Sequence, residues 1–185
     1  ASETTLLTGI PTYDRAQKKY HNSMIALGNI ESERQYNKTR LVPFGEYVPF
    51  RDLLGSALDV LGAPMSDFTP GREAHVLNAA GVPVGALICY EAVFGAEVTE
   101  LLPEAQLLVN VSNDAWFGSW GPPQHLAQAR LRAMEEGLPV VRSTPTGISA
   151  VINAQGRILA ALPFQKAGAI EVVLPPAAAP TPFAK

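Results

Sequence analysis

The sequence has a single cysteine in 185 residues, and this scarcity excludes an internal disulfide framework. Only 17% of its residues are charged and the net charge is −3, so it lacks the basic surface that nucleic-acid binding requires. No apolar run approaches the roughly 18 residues of a membrane-spanning helix. No basic segment followed by an apolar core opens the chain, so no signal peptide is visible. As given, we expect a soluble globular domain.

The one cysteine stands at the end of a predicted buried strand. Residues 81–88 are mostly apolar, and they lead directly into Cys89, Tyr90 and Glu91. A thiol in this position is held rigidly and can still be reached by a substrate, which is what a nucleophile requires. The alternative is that Cys89 is a small buried apolar residue without chemistry, because free cysteine is among the most buried residue types.

The hydrophobic pattern predicts strands that alternate with helices. Apolar residues at helical spacing predict helices at 51–61, 94–102 and 123–136. The inner stripe of the last helix is predicted to be Ala127, Leu131 and Met134. Strands are predicted at 5–9 (running into a turn at Pro11), 20–27, 81–88, 106–112, 139–143, 148–152, 157–160 and 169–174.

The remaining segments are predicted to be connections. Two prolines and a glycine make residues 41–50 an ordered loop, and residues 113–118 are a second loop. The final segment, 175–185, is rich in proline and is predicted to be an extended tether. Two of the predicted helices alternate with buried strands, and this alternation favours a layered α/β sandwich over residues 1–174.

A lysine and a glutamate supply the other groups that thiol chemistry needs. Lys38 follows strand-like sequence, and Glu46 comes eight residues later in the rigid loop. Acyl transfer through a thiolate requires a cation where the oxyanion develops and carboxylates that orient the cation and move protons. A lysine in this setting is more often a solvated surface residue, so Lys38 is meaningful only together with Glu46 and Cys89.

These three residues lie in longer stretches that resemble the nitrilase, or carbon–nitrogen hydrolase, superfamily. Within it the sequence is most similar to the bacterial apolipoprotein N-acyltransferases. The resembling stretches are 36–49, 88–91, 112–118 and a discontinuous set within 121–149. One short motif would be weak evidence, but four in order at consistent intervals, over about residues 20–174, are specific.

The resemblance implies a nitrilase-like α-β-β-α sandwich, truncated at its N-terminal side. It implies an enzyme that takes an acyl chain from a phospholipid as a cysteine thioester. The acyl group then passes to the N-terminal amino group of a diacylglyceryl-modified lipoprotein. It also implies a domain on the periplasmic face of the bacterial inner membrane, attached through segments absent from this chain. No cofactor and no metal are implied.

The resemblance also implies roles for individual residues. Cys89 is the expected nucleophile, Lys38 the residue that stabilises the oxyanion, and Glu46 the residue that orients Lys38 or relays protons. Tyr90 and Glu91 are expected to shape the acyl site. Trp116 is a further candidate for substrate binding, because its loop either admits lipid or packs over the domain edge. His125 is expected to cap or pack and not to act as a base.

The sequence departs from the superfamily in its N-terminal segment. The family's general-base glutamate precedes the lysine, and the acids available there are Glu3, Asp14, Glu31 and Glu33. Glu3 has none of the expected strand before it, and Glu31 and Glu33 lie in a polar connector where solvation is expected, so none of these acids is assigned as the base. We therefore expect the isolated chain to be inactive. Two other functions stay open, which are a soluble amidase or nitrilase and a non-catalytic binding module.

Overall fold

The computed structural model describes residues 4–28, 34–51, 67–72, 76–99 and 104–184. The helix predicted at 51–61 lies outside these residues, apart from its first position. Within them the chain forms nine strands in two sheets, two α-helices and two short 3₁₀ turns.

The first sheet has three antiparallel strands in the order β1–β2–β3. These are β1 (Leu6–Asp14), β2 (Lys19–Leu27) and β3 (Gln35–Asn37). The turn predicted at Pro11 is wrong, because β1 continues through it and pairs Pro11 with Asn22. Proline is tolerated there because β1 is an edge strand, where a missing N–H interrupts no second ladder. The prediction for β2 is confirmed.

The second sheet has six strands in the order β4–β5–β6–β7–β8–β9. Their bounds are β4 (Val76–Ala79), β5 (Val82–Ile88), β6 (Leu107–Val111), β7 (Val140–Ser143), β8 (Ala150–Ile152) and β9 (Ile158–Ala161). The three central strands β5, β6 and β7 are parallel, and the other pairings are antiparallel. All except β4 were predicted from apolar runs. Because β5 and β6 are parallel, the polar residues that follow their C-terminal ends meet at one edge of the sheet.

Two apolar clusters hold the layers together. The first lies between the sheets, where Met24 and Tyr36 pack against Val84, Ile88 and Val109 of the larger sheet. The second lies on the other face of the larger sheet, where its residues meet the helices α1 (Gly95–Thr99) and α2 (Gly121–Glu136). The described residues thus form a β–β–α arrangement of layers.

Helix α2 agrees with the prediction in extent but not in its buried face. It begins with prolines in its first turn and ends at Glu136, and the following Gly137 has a φ of 68°, which suits glycine. The predicted stripe of Ala127, Leu131 and Met134 is exposed. The helix instead buries a different face, in which apolar and polar side chains are mixed. This face consists of Pro122, His125, Ala129, Arg132, Ala133 and Glu136. The apolar stripe was misleading because this face is held by hydrogen bonds and ion pairs as well as by apolar contacts.

The C-terminal segment contains no regular structure among its described residues. The strand predicted at 169–174 is wrong, because these residues are largely exposed and pair with no described strand. The proline-rich segment beyond them lies against the end of α2. The amide of Ala178 donates to the carbonyl of Gly137 at 2.8 Å, and the Thr181 hydroxyl donates to the carbonyl of Glu135.

Candidate active site

Cys89 occupies a sharp bend between β5 and a 3₁₀ turn over Cys89–Val93. Its φ of 54° is left-handed, a conformation that residues other than glycine, asparagine and aspartate seldom adopt. The thiol is free and only partly buried. The strand ends at the bend, so the side chain is fixed by the backbone at the polar edge of the sheet and still faces open space.

Two side chains hold the backbone carbonyl of Cys89. Nδ2 of Asn110, on β6, donates to this oxygen at 3.0 Å. Nε2 of His125, on α2, lies 3.0 Å from the same oxygen. Because a carbonyl oxygen can only accept, Nε2 of His125 must carry a proton. Both lone pairs of this carbonyl are therefore used.

Lys38 and Glu46 form a largely buried ion pair. The ammonium Nζ of Lys38, only 1% exposed, lies 2.7 Å from Oε2 of Glu46, which is 12% exposed. The same carboxylate accepts from the amide of Val42 at 2.7 Å and from Nδ2 of Asn22 at 2.6 Å. Three donors fix the glutamate, and the glutamate in turn fixes the ammonium.

One cavity of about 600 Å³ brings most of the predicted site residues together. Cys89, Lys38, Glu46 and Trp116 all line it. The remaining wall is mainly apolar, and its larger side chains are Leu7, Ile10, Val42, Phe68, Ile88 and Val111. Trp116 is 74% exposed, which places it at the opening. The thiol of Cys89 and the ammonium of Lys38 thus belong to one cavity whose wall is mainly apolar.

Glu91 lies behind the cavity and does not line it. Oε1 accepts from the hydroxyl of Tyr36 at 2.9 Å and from the amide of Thr39 at 2.9 Å. Oε2 accepts from the amide of Ile88 at 2.7 Å. Burial raises the pKa of this carboxyl, against the opposing effect of its hydrogen bonds. Its observed contacts join the segment around Lys38 to the bend around Cys89.

Tyr90 also stands outside the set of cavity-lining residues. Its ring packs edge-on against Phe94, with 4.9 Å between the ring centroids. The Lys38 ammonium lies 5.9 Å from the centre of the Tyr90 ring, within the range of a cation–π contact. The contacts of Tyr90 thus reach the site through Lys38.

Asp114, Arg142 and His125 form a buried polar network next to the bend, and the sequence analysis did not predict it. The carboxylate of Asp114 pairs with the guanidinium of Arg142, and its Oδ1 lies 2.9 Å from Nδ1 of His125. Burial alone would raise the pKa of Asp114, but hydrogen bonds from His125 and Ser112 and the charge of Arg142 outweigh it and lower the pKa to about 2. Asn110, a polar residue inside the apolar run of β6, was the signal in the sequence that such a network exists.

Residues 2–179 match the carbon–nitrogen hydrolase family. The chain belongs to this family. The apolipoprotein N-acyltransferase of Methylococcus capsulatus is 44% identical to it over 181 residues, which are 97% of this chain and 36% of that protein. The chain thus spans about a third of the length of the curated relatives it matches.

Solved structures show the same fold at low sequence identity. Saccharomyces cerevisiae Nit3, a member of branch 10 of the nitrilase superfamily, gives a TM-score of 0.65 at 19% identity, over 86% of this chain and 56% of that chain. The E41L mutant of an amidase from Nesterenkonia sp. AN1 gives 0.60 at 19% identity, over 94% and 58%. In that amidase an acetamide moiety is covalently added at the active-site cysteine. The expected nitrilase-like fold is confirmed.

The structure also bears on membranes and metals. No helix within the described ranges is long and apolar enough to cross a bilayer. Among the same residues, no group of three or more histidine, cysteine, aspartate or glutamate side chains is arranged to hold a metal ion.

Proposed function

We propose that this chain carries the nucleophile and the oxyanion-stabilising lysine of an apolipoprotein N-acyltransferase. The observation that carries the proposal is that Cys89, Lys38 and Glu46 line one largely apolar cavity. Relatives that match 97% and 83% of the chain bear this name. A covalent role for Cys89 is in keeping with an amidase of the same fold, in which an acetamide moiety is added at the active-site cysteine.

The first half-reaction forms a thioester. The Cys89 thiolate attacks the ester carbonyl carbon of a phospholipid, and the Lys38 ammonium stabilises the oxyanion that develops. When the tetrahedral intermediate collapses, the new C–S bond stays and the C–O bond breaks. The lysophospholipid leaves with a proton. The apolar wall of the cavity suits the acyl chain.

The second half-reaction moves the acyl group to an amine. The N-terminal amino group of a diacylglyceryl-modified lipoprotein attacks the thioester carbonyl, and the C–S bond breaks as the amide forms. The amine loses a proton and the Cys89 thiolate is restored. A thioester suits this step because a thiolate leaves readily and an amine attacks a thioester faster than an ester.

Within this mechanism Glu46 orients Lys38 and does not relay protons. Its carboxylate already accepts hydrogen bonds from Lys38, Val42 and Asn22. A group that must take up and release a proton in each cycle would break these bonds twice. A fixed anion instead holds the ammonium in place.

The general base is assigned to none of the acids that precede Lys38. The carboxylate of Asp14 accepts the amides of Ala16 and Gln17 in the exposed turn after β1. Glu3, Glu31 and Glu33 lie outside the described residues. We infer that the base is supplied by a part of the enzyme outside this chain, on the periplasmic face of the inner membrane. The isolated chain is then expected to show no turnover.

Trapping of the acyl-enzyme tests the proposal. The full-length enzyme that contains this chain, called the parent protein below, is incubated with phosphatidylethanolamine vesicles. The peptide that contains Cys89 is then examined by mass spectrometry. A mass increase of one fatty acyl group on Cys89 is expected, and it should disappear when a lipopeptide amine is added.

The Cys89→Ala variant is the control and should give no adduct. An adduct that forms only with small amides would favour the soluble hydrolase. A protein that forms no adduct with either substrate would favour the binding module.

A further inference from the structure

We propose that His125 and Asn110 are positioning residues that hold the Cys89–Tyr90 peptide in its left-handed bend, so that the thiol keeps facing the cavity. The inference rests on the proposed function only in treating Cys89 as the nucleophile. Neither residue lines the cavity, so both would act through the backbone of Cys89.

The bend needs external support because it is strained. A left-handed φ in a residue with a β-carbon persists only when the surrounding structure over-determines it. Here the carbonyl that follows this φ accepts two side-chain donors, one from β6 and one from α2. Rotation of the peptide toward an ordinary conformation would break both bonds at once. The two hydrogen bonds that restrain the strained Cys89 therefore both end on its own carbonyl oxygen.

The orientation of each donor is itself fixed. Nδ2 of Asn110 also lies 3.3 Å from the carbonyl of Leu87, while its Oδ1 accepts from Nη1 of Arg142. Nδ1 of His125 lies 2.9 Å from Oδ1 of Asp114 and 3.1 Å from Nη2 of Arg142. A flipped Asn110 amide would set oxygen against carbonyl oxygens and NH₂ against the guanidinium, and a flipped His125 ring would put carbons where its nitrogens bond, so each donor has one acceptable pose.

Arg142 links the two donors into one unit. Its guanidinium is fully buried, contacts Asn110 through Nη1, and contacts Asp114 and His125 through Nη2. Buried charges of this kind seldom improve stability over apolar packing, although they can specify one conformation. The conformation specified here is the bend at Cys89.

The single cysteine permits a direct test. When the chain is grown with ¹³C-labelled cysteine, its carbonyl, Cα and Cβ resonances come from Cys89 alone. His125→Phe keeps a ring of similar size and removes the donor, whereas His125→Gln retains an N–H that can reach the same oxygen. We expect the resonances to move toward those of ordinary negative φ in His125→Phe and to stay near wild type in His125→Gln.

The matched control is His21→Phe. His21 is also a buried histidine, and Nδ1 of its ring bonds the carbonyl of Thr69, not that of Cys89. This variant should leave the Cys89 resonances in place. If His125→Phe does not fold, Asn110→Asp carries the same test, because it keeps Oδ1 toward Arg142 and removes the Nδ2 donor.

The outcomes are distinct. Unchanged Cys89 resonances in His125→Phe and Asn110→Asp would overturn the proposal. Equal shifts in His125→Phe and His125→Gln would also overturn it, because ring packing and not the donated hydrogen bond would then matter. In the parent protein, His125→Phe should reduce kcat by about ten- to a hundredfold with little change in KM. The resonances need no substrate, so failure of acyl transfer would count against the proposed function and leave this inference standing.

Discussion

Glu46 holds the ammonium of Lys38 at 2.7 Å in a place where the lysine is almost fully shielded from water. A lone buried ammonium is unfavourable, and the carboxylate that balances it is anchored by Val42 and Asn22. The pair is thus both a structural element and the electrostatic centre of the cavity.

Replacement of Glu46 by Gln should impair both stability and chemistry. The buried Lys38 would lose its counter-charge, and breaking such a pair typically costs about 3–5 kcal/mol. Acyl-adduct formation in the parent protein should fall by about 10²-fold or more, as when an oxyanion-stabilising group is displaced. Urea unfolding of the chain and mass spectrometry of the adduct measure the two effects.

A double-mutant cycle with Lys38→Met separates the pair from its surroundings. If the two groups interact as described, the double variant should be less destabilised than the sum of the two single variants. Additive losses of stability would contradict the coupling between Lys38 and Glu46.

Replacement of Glu91 by Gln should destabilise the fold without touching the cavity surface. Oε2 accepts the amide of Ile88, so an NH₂ group at that position would face another donor. A buried donor left without an acceptor costs about 1–3 kcal/mol. Urea unfolding should detect this loss, while the exposed Glu104→Gln should change stability by less than about 0.5 kcal/mol. Equal effects of the two substitutions would rule out the buried role of Glu91.

The pKa of Asp114 predicts how the network responds to acid. The folded state lowers this pKa to about 2, below the ordinary carboxyl value of 3.8. A carboxyl whose pKa is lowered by folding stabilises the fold at pH values above its pKa in the unfolded state. This contribution is lost as the pH falls from about 4 toward 2. The contribution at neutral pH is on the order of 2 kcal/mol.

Unfolding at a series of pH values tests the assignment. Asp114→Asn should be less stable than the unaltered chain at pH 7, and the difference should shrink between pH 4 and pH 2. A difference that stays constant over this range would mean that the charge of Asp114 is not what stabilises the network.

The sequence predicted the central strands well, because apolar runs leave a local signal, whereas the catalytic roles of Cys89, Lys38 and Glu46 stay predictions. An apolar run such as 81–88 can only be buried, and Cys89 at its end marks the polar edge of the sheet. The predicted face of α2 was wrong because His125 is buried through its bonds to Asp114 and the Cys89 carbonyl, while Arg132 pairs with Glu135 on the same helix and stacks on the Phe183 ring. Asp114 and Arg142 were missed because residues 28 positions apart form their ion pair. Periodicity detects apolar burial and does not detect burial that depends on distant charges.

Exposure of the two tryptophans leads to a prediction about lipid. Trp116 and Trp120 are 74% and 81% exposed, so neither packs over the domain edge, which was the alternative to a lipid-facing loop. Trp116 also lines the cavity that contains Cys89. Exposed indole rings favour the interface between a bilayer and water. Because the chain has only these two tryptophans, their fluorescence reports on this loop alone.

Vesicles of phosphatidylethanolamine and phosphatidylglycerol should therefore shift the tryptophan emission to shorter wavelength. With Trp120→Phe the remaining signal comes from Trp116, and with Trp116→Phe it comes from Trp120. We expect a blue shift in both variants, and a brominated lipid should quench Trp116. Trp116→Ala should raise the KM for vesicle phospholipid in the parent protein more than it lowers kcat, because the ring acts at the opening and not on the reacting atoms. Emission that does not change with added vesicles would refute a lipid-facing loop.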